Sequence, residues 1–386
     1  MPYTLALQNL LERRWEPVRL AQPVAIEALP TPALLLDEAA FERNLARMAE
    51  HLASKSKGHR PHTKTHKCPV IAARQIAAGA VGVCAAKVSE AVVLINAGIE
   101  PVLITSAVTT PEKARVITDL ARRGRLSVVV DSELSLRTVA DAMPADVELG
   151  VLVDVDVDMG RTGTRSVAEV VHLAERISAH PSLRFEGIQH YAGHLMHVEG
   201  FDQRRERSLA LWKAVDEIVA DLSASGFPPD VVTGAGTGTY NIDCEVPAIT
   251  DLQVGSYIFM DQEYRLIGGE HGAVFDDFEV ALSVITTAIS QPLARAITVD
   301  GGYKAFASDS VNPEPMNMEG ARFRFGGDEH GIVILPEGNN SSLLGEALRF
   351  ITPHCDPTVN LYDFYWVHRD DQAHSIWPIA ARGCSW

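Results

Sequence analysis

Cysteine is scarce in this chain. There are five in 386 residues (Cys68, Cys84, Cys244, Cys355, Cys384), odd in number and scattered, with no C-x-x-C pair. That speaks against a disulfide scaffold and for a reduced, cytoplasmic chain. No apolar run is long enough to span a bilayer, and Arg13, Arg14 and Glu16 interrupt the only early stretch that resembles a secretion signal. Basic residues are in deficit: 34 Lys and Arg stand against 50 Asp and Glu, a net charge of −16. A nucleic-acid binder needs a basic face for phosphate, so neither nucleic acid nor membrane is expected as a partner. A local site can still differ in sign from the whole surface, which leaves an anionic small molecule open.

The sequence contains enough residues for one barrel-sized domain and a smaller one. From about residue 30, short β-branched runs alternate with Ala/Leu/Arg-rich stretches. The extended runs are Ala33–Asp37, His59–Lys64, Val81–Ala85, Pro101–Ser106, Leu126–Asp131, Leu149–Asp156, Phe185–Tyr191, Asp230–Thr233 and Leu252–Phe259. Helix-like segments such as Glu38–Leu52 and Val167–Ser178 lie between them. This pattern predicts α/β architecture with a TIM (β/α)8-type barrel over residues 29–265. Nine runs compete for eight places, so Ala33–Asp37 is assigned to another sheet and His59–Lys64 opens the barrel. Beyond residue 265, strands separated by Gly, Pro, Asp and Asn turns predict a mostly β C-terminal domain over 266–386, with residues 1–28 packed on it. A doubly wound open sheet is the competing architecture.

In such a barrel, reactive groups gather at the carboxyl ends of the strands. Lys64, Asp158 with Arg161, Gln189 with Tyr191, and the loop Thr233–Gly238 all fall there. Arg60-Pro-His-Thr-Lys64 holds a lysine among histidines at a strand end, a setting suited to carrying an aldehyde cofactor as a Schiff base. Most lysines are solvated surface groups, so the context carries that reading. Thr233-Gly-Ala-Gly-Thr-Gly-Thr239 is a plain glycine turn or, with a cofactor lysine upstream, a phosphate cradle for pyridoxal phosphate. Arg161 reaches a carboxylate or orients the cofactor. His354-Cys-Asp356 places imidazole and carboxylate two apart; on an extended strand they project to one side and bind one divalent cation, with Cys355 pointing away. Such a triplet is common by chance, and a lone histidine is usually structural.

Together with Lys87-Val-Ser-Glu90, Gly255-Ser-Tyr-Ile-Phe-Met-Asp261, Asp328-Glu-His-Gly331 and Trp377-Pro-Ile-Ala-Ala-Arg-Gly383, these motifs resemble the D-threonine aldolase/D-serine dehydratase family. The resemblance runs from about residue 30 to the C-terminus. It implies an alanine-racemase-like fold, a homodimer, Lys64 as the cofactor lysine, and phosphate held by Thr233, Gly236, Thr237 and Gly238. Gln189, Tyr191, Gln253 and Tyr257 complete the expected cofactor site. His354 and Asp356 are the implied metal pair. H-x-D is the aldolase-like triplet, suited to manganese, magnesium or cobalt, with zinc as a further candidate. Tyr191-Ala-Gly-His-Leu-Met-His197 departs from the aldolase pattern at Ala192 and adds His194, which leaves His197, His194 or a metal-held water as the base. The expected reaction is retro-aldol cleavage of a β-hydroxy-D-amino acid to glycine and an aldehyde. Dehydration of D-serine or 3-hydroxy-D-aspartate to a 2-oxo acid and ammonia is the alternative. Racemisation has no evident need of a metal pair, and a non-catalytic cofactor-binding protein would not need the β domain.

Overall fold

The computed structural model describes residues 14–339 and 341–386. Two strands, β1 (Val18–Ala25) and β2 (Ala33–Asp37), precede the barrel. Then come β3 (Gly58–His59), β4 (Val83–Ala85), β5 (Val102–Ile104), β6 (Leu126–Val130), β7 (Leu149–Val155), β8 (Leu183–His190), β9 (Val231–Gly234) and β10 (Asp251–Leu252). These eight pair in parallel in the order β3-β10-β9-β8-β7-β6-β5-β4. A parallel bridge between His62 and Cys84, just past β3 and before the end of β4, joins the two edges and closes the barrel. Closure leaves no unpaired sheet edge.

Local chemistry explains the elements. All seven residues of β7 are buried, as a strand with covered faces on both sides requires. Pro69 and Pro111 begin the helices Pro69–Ala77 and Pro111–Ala121, where a missing N–H breaks no helical bond. Ser166 and Glu169 form a capping box for the helix Val167–Ser178, which buries Val170, Leu173, Ala174 and Ile177. Inside the barrel, Cys84, Leu103, Val129 and Leu152 form an apolar layer. Two residues further along β7, β8 and β9, the interior turns polar with Asp154, Gln189 and Thr233, which lie side by side in register.

The second sheet is built from both ends of the chain. Strands β11 (Leu282–Leu293), β12 (Ala296–Val299), β13 (Glu314–Pro315), β14 (Arg322–Phe325), β15 (Gly331–Ile334), β16 (Ala347–Ile351), β17 (Phe364–Arg369) and β18 (Gln372–Pro378) join β1 and β2 in ten strands. β2 pairs with β11 and β17, as the strand count expects, although it lies inside the stretch assigned to the barrel. β1 pairs with β18 in the same sheet. Residues 1–13 lie outside the described residues. All five cysteines are buried and none forms a disulfide. Among the described residues no helix is long and apolar enough to cross a membrane.

Two expected strands form over only two residues each. Leu252–Phe259 is a strand only at Asp251–Leu252, after which Ser256–Ile258 forms a 3-10 turn. The reason is Gly255, where a Cβ would come within 2.6 Å of Thr65 Oγ1 and 3.1 Å of the His62 carbonyl, so the chain turns against the lysine segment. His59–Lys64 ends as a strand at His59, with Lys64 in the next turn.

His190 ends β8 and faces outward onto Trp212, ring centroids 3.9 Å apart. It is buried, and neither ring nitrogen finds a hydrogen-bond partner among the described residues. Burial pushes its pKa down to about 3. Below the unfolded value near 6.5, the unfolded chain binds a proton that the folded chain refuses until about pH 3. The stability tied to neutral His190 is therefore complete above pH 6.5 and drains away on acidification. Between pH 7.5 and 5, the variant His190→Phe is expected to lose about 2 kcal/mol less unfolding free energy than the parent. Parallel pH profiles in urea titrations would contradict this.

Candidate active site

After β3 the chain reads Arg60-Pro-His-Thr-Lys-Thr-His66, and Thr63–Thr65 forms a 3-10 turn. His62 Nδ1 accepts the Lys64 N–H at 3.4 Å, Thr63 Oγ1 donates to the Cys84 carbonyl at 2.7 Å, and Tyr365 of β17 donates to the His66 carbonyl at 2.6 Å. These bonds fix the lysine at the carboxyl end of the opening strand and tie it to the second sheet. Lys64 lines a cavity of about 540 Å³ at the barrel mouth with His62, Thr105, Arg161, Gln189 and Tyr191. A larger cavity of about 720 Å³ lies at the opposite end, where Arg60, Arg122 and Arg184 are each paired with carboxylates. The reactive side chains converge on the mouth, so the chemistry belongs there.

The Lys64 amine forms an ion pair with Asp356. Burial by itself would lower the lysine pKa, but Asp356 overrides it and holds the amine above its ordinary value. Burial would raise Asp356, yet Lys64 and His354 hold the carboxyl well below the usual range. The triplet His354-Cys355-Asp356 is not a strand, as the sequence suggested. His354 is the N-cap of the short helix Cys355–Val359, so the same-side argument for a strand does not apply. Cys355 turns inward, its N–H and Sγ both donating to Asp261 Oδ2 at 2.8 and 2.9 Å. His354 Nδ1 lies 2.8 Å from Asp309 Oδ2 and 3.6 Å from Glu263 Oε2. His197 Nε2 lies 3.7 Å from the same Glu263 oxygen.

The fit to a cofactor and a metal rests on the donors. Asp356 Oδ1 and Glu263 Oε2 are buried with no hydrogen-bond partner among the described residues. No group of three or more His, Cys, Asp or Glu there is disposed to hold a metal ion. The unpartnered Asp356 Oδ1 is a lone-pair donor that a cation would satisfy, and Asp309 orients the neighbouring His354 imidazole. Burial, and then the charges of His354 and Lys64, lower His197 to about 4, leaving it neutral near pH 7. His194 is exposed on the turn Gly193–Leu195 and makes no hydrogen bond or ion pair with this cluster among the described residues.

The glycine loop sits beside this mouth. A Cβ on Gly236 would collide with Met196 Sδ and stand 3.5 Å from Tyr191 Cε2, and one on Gly238 would collide with the Met196 carbonyl. Glycine is thus demanded by close packing. The N–H groups of Gly236, Thr237 and Gly238 make no hydrogen bond among the described residues, which fits an anion cradle. Two residues of the expected set behave differently. Thr233 turns into the barrel, its hydroxyl 2.5 Å from Asp251 Oδ1. The Tyr257 side chain packs away from the mouth, its hydroxyl accepting from Gln75 Nε2 at 3.2 Å, and only its N–H reaches the loop, donating to Thr237 Oγ1 at 3.0 Å. Arg161 lies over the Tyr191 ring, 5.5 Å from its centroid. Glu263, Asp309 and the buried Arg204 went unsuspected in the sequence, because nothing in their spacing sets them apart.

A closed α/β barrel with a lysine at its mouth, a glycine loop whose N–H groups are unpaired among the described residues and a β domain against it defines a class of pyridoxal-phosphate enzymes. The family model for the alanine racemase N-terminal domain matches residues 36–263, and that for the D-serine dehydratase domain matches residues 281–368. The chain is 37% identical to a D-threonine aldolase of an Arthrobacter species over 96% of both chains. It is 35% identical to a 3-hydroxy-D-aspartate aldolase of Paracoccus denitrificans over 92% of both. The crystal structure of D-threonine aldolase from Filomicrobium marinum superposes with a TM-score of 0.91 at 38% identity, covering 96% of this chain and all of that one. The chain belongs to the D-threonine aldolase/D-serine dehydratase family of alanine-racemase-like, pyridoxal-phosphate-dependent lyases.

Proposed function

We propose that this enzyme cleaves β-hydroxy-D-amino acids between Cα and Cβ, giving glycine and an aldehyde. The observation that carries the reading is the Lys64–Asp356 ion pair, which puts the cofactor lysine and the H-x-D pair in one mouth. The aldolase names of the relatives above agree with it. Pyridoxal phosphate, when bound, supplies the sink for the electrons left by the broken Cα–Cβ bond. Lys64 delivers the amine to which that cofactor attaches, and Gly236, Thr237 and Gly238 frame its phosphate, with the Tyr257 N–H holding the Thr237 hydroxyl. Gln189, Tyr191 and Gln253 flank the ring, and Arg161 orients the cofactor or the substrate carboxylate. His354 and Asp356 would hold manganese, magnesium, cobalt or zinc, whose chemistry there is to acidify the substrate β-hydroxyl. Neutral His197 accepts the hydroxyl proton, with the Glu263 carboxylate close enough to steady the imidazolium; His194 is the more distant second base.

The D-serine dehydratase domain match favours a second reading, in which the same lysine serves loss of the α-proton and expulsion of the β-hydroxyl. Product analysis separates the two. With pyridoxal phosphate and manganese supplied, D-threonine and D-3-hydroxyaspartate are expected to yield glycine plus an aldehyde, and chelation should stop the reaction. Ammonia plus a 2-oxo acid would move the assignment to dehydration, and undiminished activity after chelation would remove the metal. A cytoplasmic homodimer completes the proposal. Five buried cysteines without a disulfide suit a reducing compartment, and light scattering on the same preparation tests the dimer.

A further inference from the structure

A hydrogen-bonded chain crosses the inside of the barrel, and its direction is fixed at the end remote from the mouth cavity. There Arg60 Nε donates to Asp251 Oδ1 at 3.0 Å and Nη2 to Oδ2 at 3.2 Å. Thr250 Oγ1 adds a bond of 3.3 Å to Oδ2. A guanidinium has donors only, so the carboxylate beside it accepts at both oxygens. Thr233 Oγ1, 2.5 Å from Oδ1, must therefore spend its one proton on Asp251. Only lone pairs remain on that hydroxyl, so Gln253, 3.3 Å away, must turn its amide NH₂ toward it. The same nitrogen donates to Gln189 Oε1 at 3.2 Å. Having accepted there, Gln189 turns its own Nε2 to Asp154 Oδ1 at 2.9 Å and the Thr105 carbonyl at 3.1 Å. Thr162 Oγ1 closes the chain on Asp154 Oδ2 at 2.8 Å.

Thr233, Gln189, Gln253, Asp251 and Asp154 are at most 5% exposed, so solvent does not readily reset the order. The group left over on Gln253 is its carbonyl oxygen, and Gln253 lines the mouth cavity. We propose that Thr233 is a positioning residue: standing between the Arg60–Asp251 pair and Gln253, it fixes the Gln253 carbonyl as a hydrogen-bond acceptor at the mouth. The complement to that acceptor is an N–H group, supplied by the cofactor ring or by the substrate ammonium. This rests on the cofactor site described above, and it moves Thr233 from contacting phosphate to acting from behind the site.

Thr233→Val keeps the volume and removes the hydroxyl, Thr233→Ser keeps the hydroxyl, and Gln253→Met removes the amide. The readouts are the pyridoxal phosphate dissociation constant of the holoenzyme without substrate, and KM for D-threonine. Thr233→Val should weaken one of them about tenfold, the scale of one lost buried hydrogen bond, and Thr233→Ser should stay within about twofold of the parent. A change in the cofactor constant assigns the N–H to the cofactor ring; a change confined to KM assigns it to the substrate. Gln253→Met should match Thr233→Val, and the double variant should lose no more than either. The idea is overturned by unchanged constants in Thr233→Val, by equal losses in the valine and serine variants, or by additive losses in the double variant. Should Thr233→Val not fold, unchanged constants in Gln253→Met overturn it alone. A wild-type chain that binds cofactor yet makes no glycine sinks the proposed reaction instead, and leaves the cofactor constants readable.

Discussion

Lys64→Ala is expected to abolish turnover, a fall of at least about four orders of magnitude, or roughly 5 kcal/mol of transition-state stabilisation. The reason is positional. The amine stands at the barrel mouth on a turn held by His62, Thr63 and Tyr365, and it is the partner of Asp356 across 292 residues of sequence. Reduction of the holoenzyme with borohydride followed by mass spectrometry should find the cofactor attached to the parent chain and absent from the variant. Stability should change by only about 1 kcal/mol, because the Lys64 side chain is 39% exposed to the cavity and a pair so placed is worth about that. Retained covalent cofactor in Lys64→Ala would remove the lysine assignment, and with it the reading of the mouth.

Arg204→Met should produce the largest loss of stability. Arg204 is fully buried, and its guanidinium donates to four carbonyls: Gly238 at 2.7 Å, Val198 at 2.7 Å, Ile267 at 3.2 Å and Gly268 at 2.8 Å. One side chain thus joins the glycine loop, the turn that carries His197, and the segment after the helix Gln262–Arg265. Methionine keeps the apolar stem but removes a bond from all four carbonyls, and among the described residues only Ile267 retains another partner, the Gly200 N–H at 2.9 Å. At about 1 kcal/mol or more for each, the loss is on the order of 4 kcal/mol. Cofactor affinity should fall with it, since the loop loses its anchor. Arg204→Lys should recover only part, because an ammonium lacks the planar fork that meets several acceptors at once. Urea unfolding that shows a loss below about 1 kcal/mol in Arg204→Met would mean that water or neighbouring groups take over the carbonyls.

Both sites show where the sequence stops being informative. The lysine was legible because it ends a short extended run in a strand–helix alternation, and barrels place chemistry at that end. The strand Ala33–Asp37 was rightly set aside from the barrel by counting. His354 and Asp356 were legible as residue types, but the strand assumed for them is the start of a helix, capped by His354 itself. Thr233 and Tyr257 were placed in the cofactor site by their neighbours in the chain. Thr233 instead points inward to Asp251, and Tyr257 lends its N–H while its ring packs elsewhere.

The sequence by itself determined the alternation of strands and helices and the helix starts at Glu38 and Val167. All of these are encoded within a few residues, by periodicity, capping and backbone conformation. The tertiary structure alone decided that Lys64 meets Asp356, that Glu263 lies between His197 and His354, that Asp309 holds the imidazole, and that Arg204 braces three segments. Those contacts join residues far apart in the chain. They exist only because the barrel closes at His62 and Cys84 and β2 carries the second sheet back onto its mouth, and no local pattern encodes that closure.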